Sequence, residues 1–243
     1  MSALRRVGHK GADLIAPGNT LASFDAARAH GVDMIEFDIL PVLGTDGQPQ
    51  LDGELVLAHD YLDAGSRIPL TLAEGLAHLA SHAFAGLEFD VDLKLPGYEL
   101  RVVEALRAHG LIERSLVSST YQHSLARIRA VEPGLRLGWS VPRARRDYTA
   151  SRIYIAPALV ALGIGRRILP GRASEAIRAG RCDALMVHWR LVSRRLVDAI
   201  RDAGGELYVW TVDEAPRIRT LEALGVTGVI TNDPRLFTAP VTV

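Results

Sequence analysis

Cysteine is almost absent from this chain: Cys182 stands alone among 243 residues. One thiol cannot form an intramolecular disulfide, and it excludes a structural zinc site built from several thiolates. Net charge is absent too, with 28 basic side chains against 28 acidic ones. That balance gives no global attraction for a polyanion, so nucleic acid is not an expected partner. No apolar run approaches the eighteen or so residues of a membrane span, so no integral membrane segment is expected. No apolar stretch of signal-peptide length follows MSALRRVGHK either, and the cytoplasm is the expected location. A dinucleotide-type glycine fingerprint does not follow the first apolar run.

What is present is alternation. With 48% apolar and 23% charged residues the chain can bury a sizeable core. Short apolar runs at 4–8, 33–38, 86–92, 115–119, 135–139, 183–187, 206–210 and 228–231 read as strands. Helical patterns fall between them, at 20–30, 71–82, 98–109, 121–131, 172–178, 193–202 and 213–224. Several of these end before glycine, as in AHG at 29–31 and 108–110, where a positive φ closes a helix. Eight strands with intervening helices predict an α/β fold, a TIM-type (β/α)8 barrel forming one domain over 1–243. Turn signals at 46–47 and 52–53 predict an elaborated loop after the second strand, with a short strand at 54–58. Periodicity is least regular from 141 to 180. It contains RARR at 143–146, a possible element at 153–161 and GIGRRILPG at 163–171; the excursion covers a site mouth or meets a partner.

Two acidic strands carry the chemistry. In IEFD at 35–38, period two puts Glu36 and Asp38 on one face and Ile35 and Phe37 on the other. Two carboxylates at a strand end are hard oxygen ligands suited to one divalent cation, Mg²⁺ or Ca²⁺, although spacing alone fits solvated surface acids equally well. In GLEFDVDLK at 86–94, Glu88, Asp90, Asp92 and Lys94 share a face. Asp92, near the strand end, is the best third ligand and Lys94 faces a phosphate oxygen. Glu88 lies deeper and suits a structural network, and a solvated edge strand remains the alternative for the segment. His9 in VGHKG and His59 in LVLAHD follow apolar runs, so a barrel puts both at one mouth. A pair of imidazoles there can exchange the two protons that phosphodiester cleavage moves. His188 with Trp189 and Trp210 line a substrate mouth or fill the upper barrel. Asn19 and Ser119 hydrogen-bond a phosphate or a carboxylate. The histidines at 30, 78, 82, 109 and 123 suit surface or capping roles. Arg143, Arg145 and Arg146, then Arg166 and Arg167, form basic clusters on solvated loops.

The ordered set GHKG…APGNTLASFDAARAHGVDMIEFDI, LVLAHD, DLK, LVSST (116–120), VWTVDE (209–214) and GVTGVITNDP (225–234) resembles the glycerophosphodiester phosphodiesterases. The resemblance implies a barrel enzyme that hydrolyses glycerophosphodiesters to glycerol 3-phosphate and an alcohol, using one divalent cation. His9 and His59 fall on its acid/base histidines, Glu36 and Asp38 on metal ligands, Asp92 on the third acidic ligand and Lys94 on a phosphate-facing lysine. Lys10 falls where the family has Arg, Gly18 where it has Glu, Asp92 where Glu is common, and Asn232 where Asp is common. Competing readings are a phospholipase D-like or cyclising phosphodiesterase acting on lysophospholipids, and a weakened barrel that binds phosphorylated metabolites or a protein.

Overall fold

A computed structural model describes residues 3–142 and 155–238, the side chains of 155–161 excepted. Eight parallel strands close on themselves: β1 (Arg5–Gly8), β2 (Met34–Pro41), β5 (Glu88–Leu93), β6 (Ser115–Ser119), β7 (Arg136–Val141), β8 (Ala184–His188), β9 (Glu206–Trp210) and β10 (Gly228–Thr231). β1 pairs with both β10 and β2, which removes the free edges. The expected (β/α)8 barrel is thus the observed one. β3 (Leu55–Leu57) runs antiparallel to β2, and β4 (Leu70–Thr71) antiparallel to β3. These two strands, with α2 (Tyr61–Ser66) between them, are the elaborated connection after the second barrel strand.

Period-two alternation sorts the strand residues into two shells. Ile35, Phe37, Ile39, Phe89, Val91 and Leu93 join the core between barrel and helices. Val7, Met34, Leu116, Ala184, Met186, Tyr208 and Ile230 form a second cluster within the barrel. Gly228 makes room for one of its large members, since a Cβ there would lie 2.7 Å from the Tyr208 ring. Below this layer, Glu88 is held by both Arg5 and Arg136, and Arg136 reaches Glu206 at 3.5 Å. Glu88 therefore sits in the structural network expected of it, at the end of the barrel opposite the strand C-termini.

The helices are α1 (Leu21–Ala29), α2, α3 (Leu72–Leu79), α4 (Glu99–Ala108), α5 (Gln122–Val131), α6 (Ile155–Arg178), α7 (Arg194–Asp202) and α8 (Ala215–Leu224). Thr20 and Thr71 close capping boxes, and Asp60 and Ser193 cap α2 and α7. Gly31 and Gly110 take φ of 69° and 68° just past α1 and α4, where a Cβ would be strained.

The largest departure from expectation is α6. Residues 163–171 are helical, not irregular, despite Gly163, Gly165, Gly171 and the internal Pro170. A proline inside a helix costs about 3 kcal/mol. Burial of Leu169, Ala173, Ala176 and Ile177 against the core offsets it. Arg166 is not a loop charge: its Nε donates to the Arg190 carbonyl at 2.8 Å. Arg143, Arg145 and Arg146, and the first two residues of the 153–161 element, lie outside the described residues, while 155–161 form the start of α6. Among the described residues no helix is long and apolar enough to cross a membrane.

Candidate active site

Parallel pairing in register brings the acids together. Glu36 lies beside Asp90 and Asp38 beside Asp92 across β2 and β5, and Asp92 lies beside Ser118 on β6. One carboxylate oxygen from each of Glu36, Asp38 and Asp92 falls within 4.8 Å of the others. They stand at the strand C-termini, where barrel loops converge. A cavity of about 670 Å³ opens over them, lined by His9, Glu36, His59, Asp90, Asp92, Lys94, Ser118, Thr120, Tyr121, Ser140 and Trp210 among others. Both expected histidines thus share one cleft with Glu36 and Asp92, while Asp38 lies buried beside them.

Each member is held locally. Glu36 Oε2 accepts the Lys10 backbone N–H at 2.8 Å. Asp38 is fully buried; its Oδ2 accepts Asn19 Nδ2 at 2.8 Å, and its own N–H donates to Asn19 Oδ1 at 3.1 Å. The Lys94 ammonium sits between Asp38 Oδ1 at 2.5 Å and Asp92 Oδ2 at 2.6 Å. The two carboxylates are therefore already arranged around one positive charge, with Glu36 beside them. Three oxygen donors of this kind fit a hard divalent cation. Burial pushes the Glu36 carboxyl well above its ordinary value, and the Asp38 charge adds to that. Burial also works to raise Asp38, but Lys94, His59 and His9 outweigh it and hold that carboxylate ionised. Lys94 is kept firmly protonated because Asp38, Asp92 and Glu36 overcome its desolvation.

The two imidazoles differ. His9 is enclosed, and burial lowers its pKa against the opposing pull of Asp38 and Asn232. Its Nδ1 lies 2.6 Å from Asn232 Oδ1 and its Nε2 3.9 Å from Glu36 Oε2. His59 is half exposed, with Nδ1 3.1 Å from Asp60 Oδ2.

Four side chains expected among the substrate- or phosphate-binding residues, Lys10, Asn19, Ser119 and His188, make other contacts. The Lys10 ammonium pairs with Asp13 at 2.6 Å, so the residue offers the site its backbone N–H. Gly18 complements that pair: its N–H donates to Asp13 Oδ1, and a Cβ would come within 2.5 Å of the same oxygen. Asn19 is fully buried and both ends of its amide serve Asp38. Ser119 lies on the outward parity of β6; its Oγ donates to the Leu93 carbonyl and accepts the Tyr121 N–H. Ser118, one residue earlier, is the one that faces the cavity. His188 caps the turn after β8, stacks on Trp189 and meets Trp210 edge-on at 5.2 Å, behind the wall that Trp210 forms. The histidines at 30, 78, 82, 109 and 123 do not line the cavity; His78 pairs with Asp25 and His109 with the Ala105 carbonyl.

Asp90 was not given a task by spacing alone. It is 1% exposed, its Oδ1 has no hydrogen-bond partner, and burial together with Asp92 pushes it up to about 8. Period-two parity put it on the inner face, which is the only signal the sequence carried. Asp213 was also missed; it lies three residues past β9 and binds the Asn232 side chain.

Comparison with known proteins agrees with the geometry. The glycerophosphodiester phosphodiesterase of Caldanaerobacter subterraneus subsp. tengcongensis is 26% identical over 94% of this chain and 93% of its own. A solved glycerophosphodiester phosphodiesterase from Parabacteroides distasonis superimposes with a TM-score of 0.71 at 15% identity, covering 97% of each chain. An Oleispira antarctica phosphodiesterase, solved with its product sn-glycerol-3-phosphate, superimposes at 0.69 and 19% identity, covering 98% of each. The model of the Glycerophosphoryl diester phosphodiesterase family matches residues 101–236, more than half of the sequence. The chain belongs to the glycerophosphoryl diester phosphodiesterase family.

Proposed function

We propose that the whole chain works as one barrel domain that hydrolyses glycerophosphodiesters to glycerol 3-phosphate and an alcohol. His9 and His59 move the protons, and Glu36, Asp38 and Asp92 hold one divalent cation, Mg²⁺ or Ca²⁺. The observation that carries this reading is that two imidazoles line a single cavity with Glu36 and Asp92, and that Asp38 lies within 4.8 Å of those two acids just beneath it. When bound, the cation supplies a Lewis-acidic contact for a phosphate oxygen.

The residues of the chain do the rest. His9, biased by burial toward the neutral ring, accepts the proton of the attacking hydroxyl at Nε2. As the new P–O bond forms, the bond to the leaving alcohol breaks, and that oxygen takes a proton from His59. Lys94, firmly cationic, balances charge that builds on the phosphate oxygens. The attacking hydroxyl belongs either to water or to the substrate's own glycerol; the second course passes through a cyclic phosphate. Trp210 and Tyr121 supply walls for the glycerol and alcohol portions.

Leu62 and Ile68, 87% and 96% exposed on the segment that follows His59, favour a second reading in which the glycerol portion carries an acyl chain, as in a lysophospholipid. Product analysis separates the readings: acyl-free glycerophosphodiesters and lysophospholipids are supplied to metal-loaded protein, and glycerol 3-phosphate, its acylated form and cyclic phosphate are quantified. Release of glycerol 3-phosphate from the acyl-free substrates, lost in His9→Ala, is the expected result. Turnover confined to lysophospholipids, or none at all, refutes the first reading.

A further inference from the structure

His9 is the end of a hydrogen-bond chain whose other members do not touch the cavity. Asn232, just past β10, places its Oδ1 2.6 Å from His9 Nδ1 and donates from Nδ2 to Asp213 Oδ2 at 2.7 Å. Asp213 Oδ1 accepts the Asn232 backbone N–H at 2.8 Å and the Thr231 hydroxyl at 3.0 Å. The carboxylate is thereby tied to both the backbone and the side chain of the residue that meets the histidine.

Polarity along this chain runs one way. An amide has one end that donates and one that accepts, and the two are nearly the same shape. An asparagine alone can therefore turn over and present either end to an imidazole. A carboxylate only accepts, so the Asn232 end facing Asp213 must be the NH₂ group. Its oxygen is then the end facing His9, and an oxygen there requires hydrogen on Nδ1. A neutral imidazole with hydrogen on Nδ1 keeps its lone pair on Nε2, the nitrogen on the Glu36 side of the ring. That is the nitrogen needed to accept a proton in the cavity.

We propose that Asp213 is a positioning residue for the reaction: through Asn232 it fixes the tautomer and orientation of His9. The proposal deepens the reading of His9 as a proton carrier and rests on it. It also gives meaning to Asn232. A neutral amide beside His9 carries direction only because a charged acceptor stands behind it.

The test exploits the symmetry of an Asp–Asn pair. In Asp213→Asn the oxygen at 213 stays on the backbone N–H and Thr231, its NH₂ faces residue 232, and the Asn232 amide turns over to point its own NH₂ at His9. In Asn232→Asp two carboxylates face each other and the link is broken. In the double exchange, D213N/N232D, the amide at 213 donates to the carboxylate at 232, which accepts from His9 Nδ1, while the amide oxygen at 213 still accepts from the backbone N–H and Thr231. Each single variant should lower kcat about 10- to 100-fold with KM nearly unchanged, the range for residues that orient a reacting ring from behind. The double exchange should restore kcat to within about threefold of the native chain or exceed it, a strong coupling in a double-mutant cycle. Losses in the double variant that equal the product of the single losses overturn the proposal.

A readout independent of turnover is the ¹⁵N resonance pair of His9 in the full-length protein. It should show hydrogen on Nδ1 in the native chain and in the double exchange, and hydrogen shifted toward Nε2 in Asp213→Asn. Hydrogen on Nε2 in the native chain, or no change in Asp213→Asn, contradicts the inference. If the spectra behave as stated but His9→Ala keeps full activity, the inference about the tautomer stands and the catalytic reading of His9 fails.

Discussion

Replacing Asp90 by Asn should make the metal-free protein more stable at alkaline pH than the native chain, by an amount that grows with pH. Asp90 is buried inside the barrel between Glu88 and Asp92, with one oxygen lacking a partner. Burial, then the Asp92 charge, pushes its carboxyl up to about 8, while Ser118 and Lys94 pull the other way without prevailing. In the unfolded chain the same group titrates near about 4. Below that value both states hold the proton and the group costs nothing. Between the two values only the folded state holds it, so the native chain loses stability as pH rises and the loss is complete above the folded value. About four pH units at about 1.4 kcal/mol each set a ceiling of about 6 kcal/mol on that loss, the Lys94 attraction being already contained in the folded value. Asparagine has the same shape and never ionises. Urea unfolding with EDTA at pH 5, 7 and 8.5 should therefore give a variant-minus-native difference that rises steadily. Any fixed cost of the amide, about 1–3 kcal/mol for an unsatisfied donor, offsets all three points equally and leaves the slope intact. A difference that does not change with pH would refute the account of Asp90 as a carboxylic acid kept neutral by its surroundings.

Other expectations follow from neighbouring contacts. Glu88→Ala strips Arg5 and Arg136 of a shared partner at the far end of the barrel; it should cost about 1–3 kcal/mol in denaturant unfolding and leave kcat unchanged. A matching fall in kcat would show that the two ends of the barrel are not independent. Asn19→Ala frees Asp38 from both amide contacts, and calorimetric titration with Mg²⁺ or Ca²⁺ should show about 10- to 100-fold weaker binding. Unaltered binding would mean that Asp38 does not depend on Asn19 for its place.

Much of this arrangement could be read from period-two alternation. Seven of the eight barrel strands announce themselves by apolar residues on the outer parity, β1 carrying Arg6 and Gly8 there instead, and the acids of β2 and β5 stand out on the inner one. The same parity, applied to β6, favours Ser118 over Ser119, because Ser118 shares the inward face with Asp92. Residue type misled for Lys10 and Asn19. A lysine and an asparagine beside a histidine suggest phosphate contacts, yet Asp13 and Asp38 occupy them, and only folding brings those acids within reach. α6 was hidden because Gly163, Gly165 and Pro170 weaken local helix propensity, while the apolar surface that rescues it lies on the barrel. The link from Asp213 to His9 joins the loops after β9 and β10 to the one after β1, and no local pattern encodes a contact spanning 223 positions.

The account stands most directly on glycerol 3-phosphate release from an acyl-free glycerophosphodiester by metal-loaded protein, measured for the native chain, His9→Ala, His59→Ala and the double variant. Each single loss should lower kcat by about 10²–10⁴, and the double variant should fall little further, because two proton-transfer groups acting as one unit are not additive. Full activity in either single variant would contradict the shared-cavity chemistry, as would turnover undiminished by chelation of divalent metal.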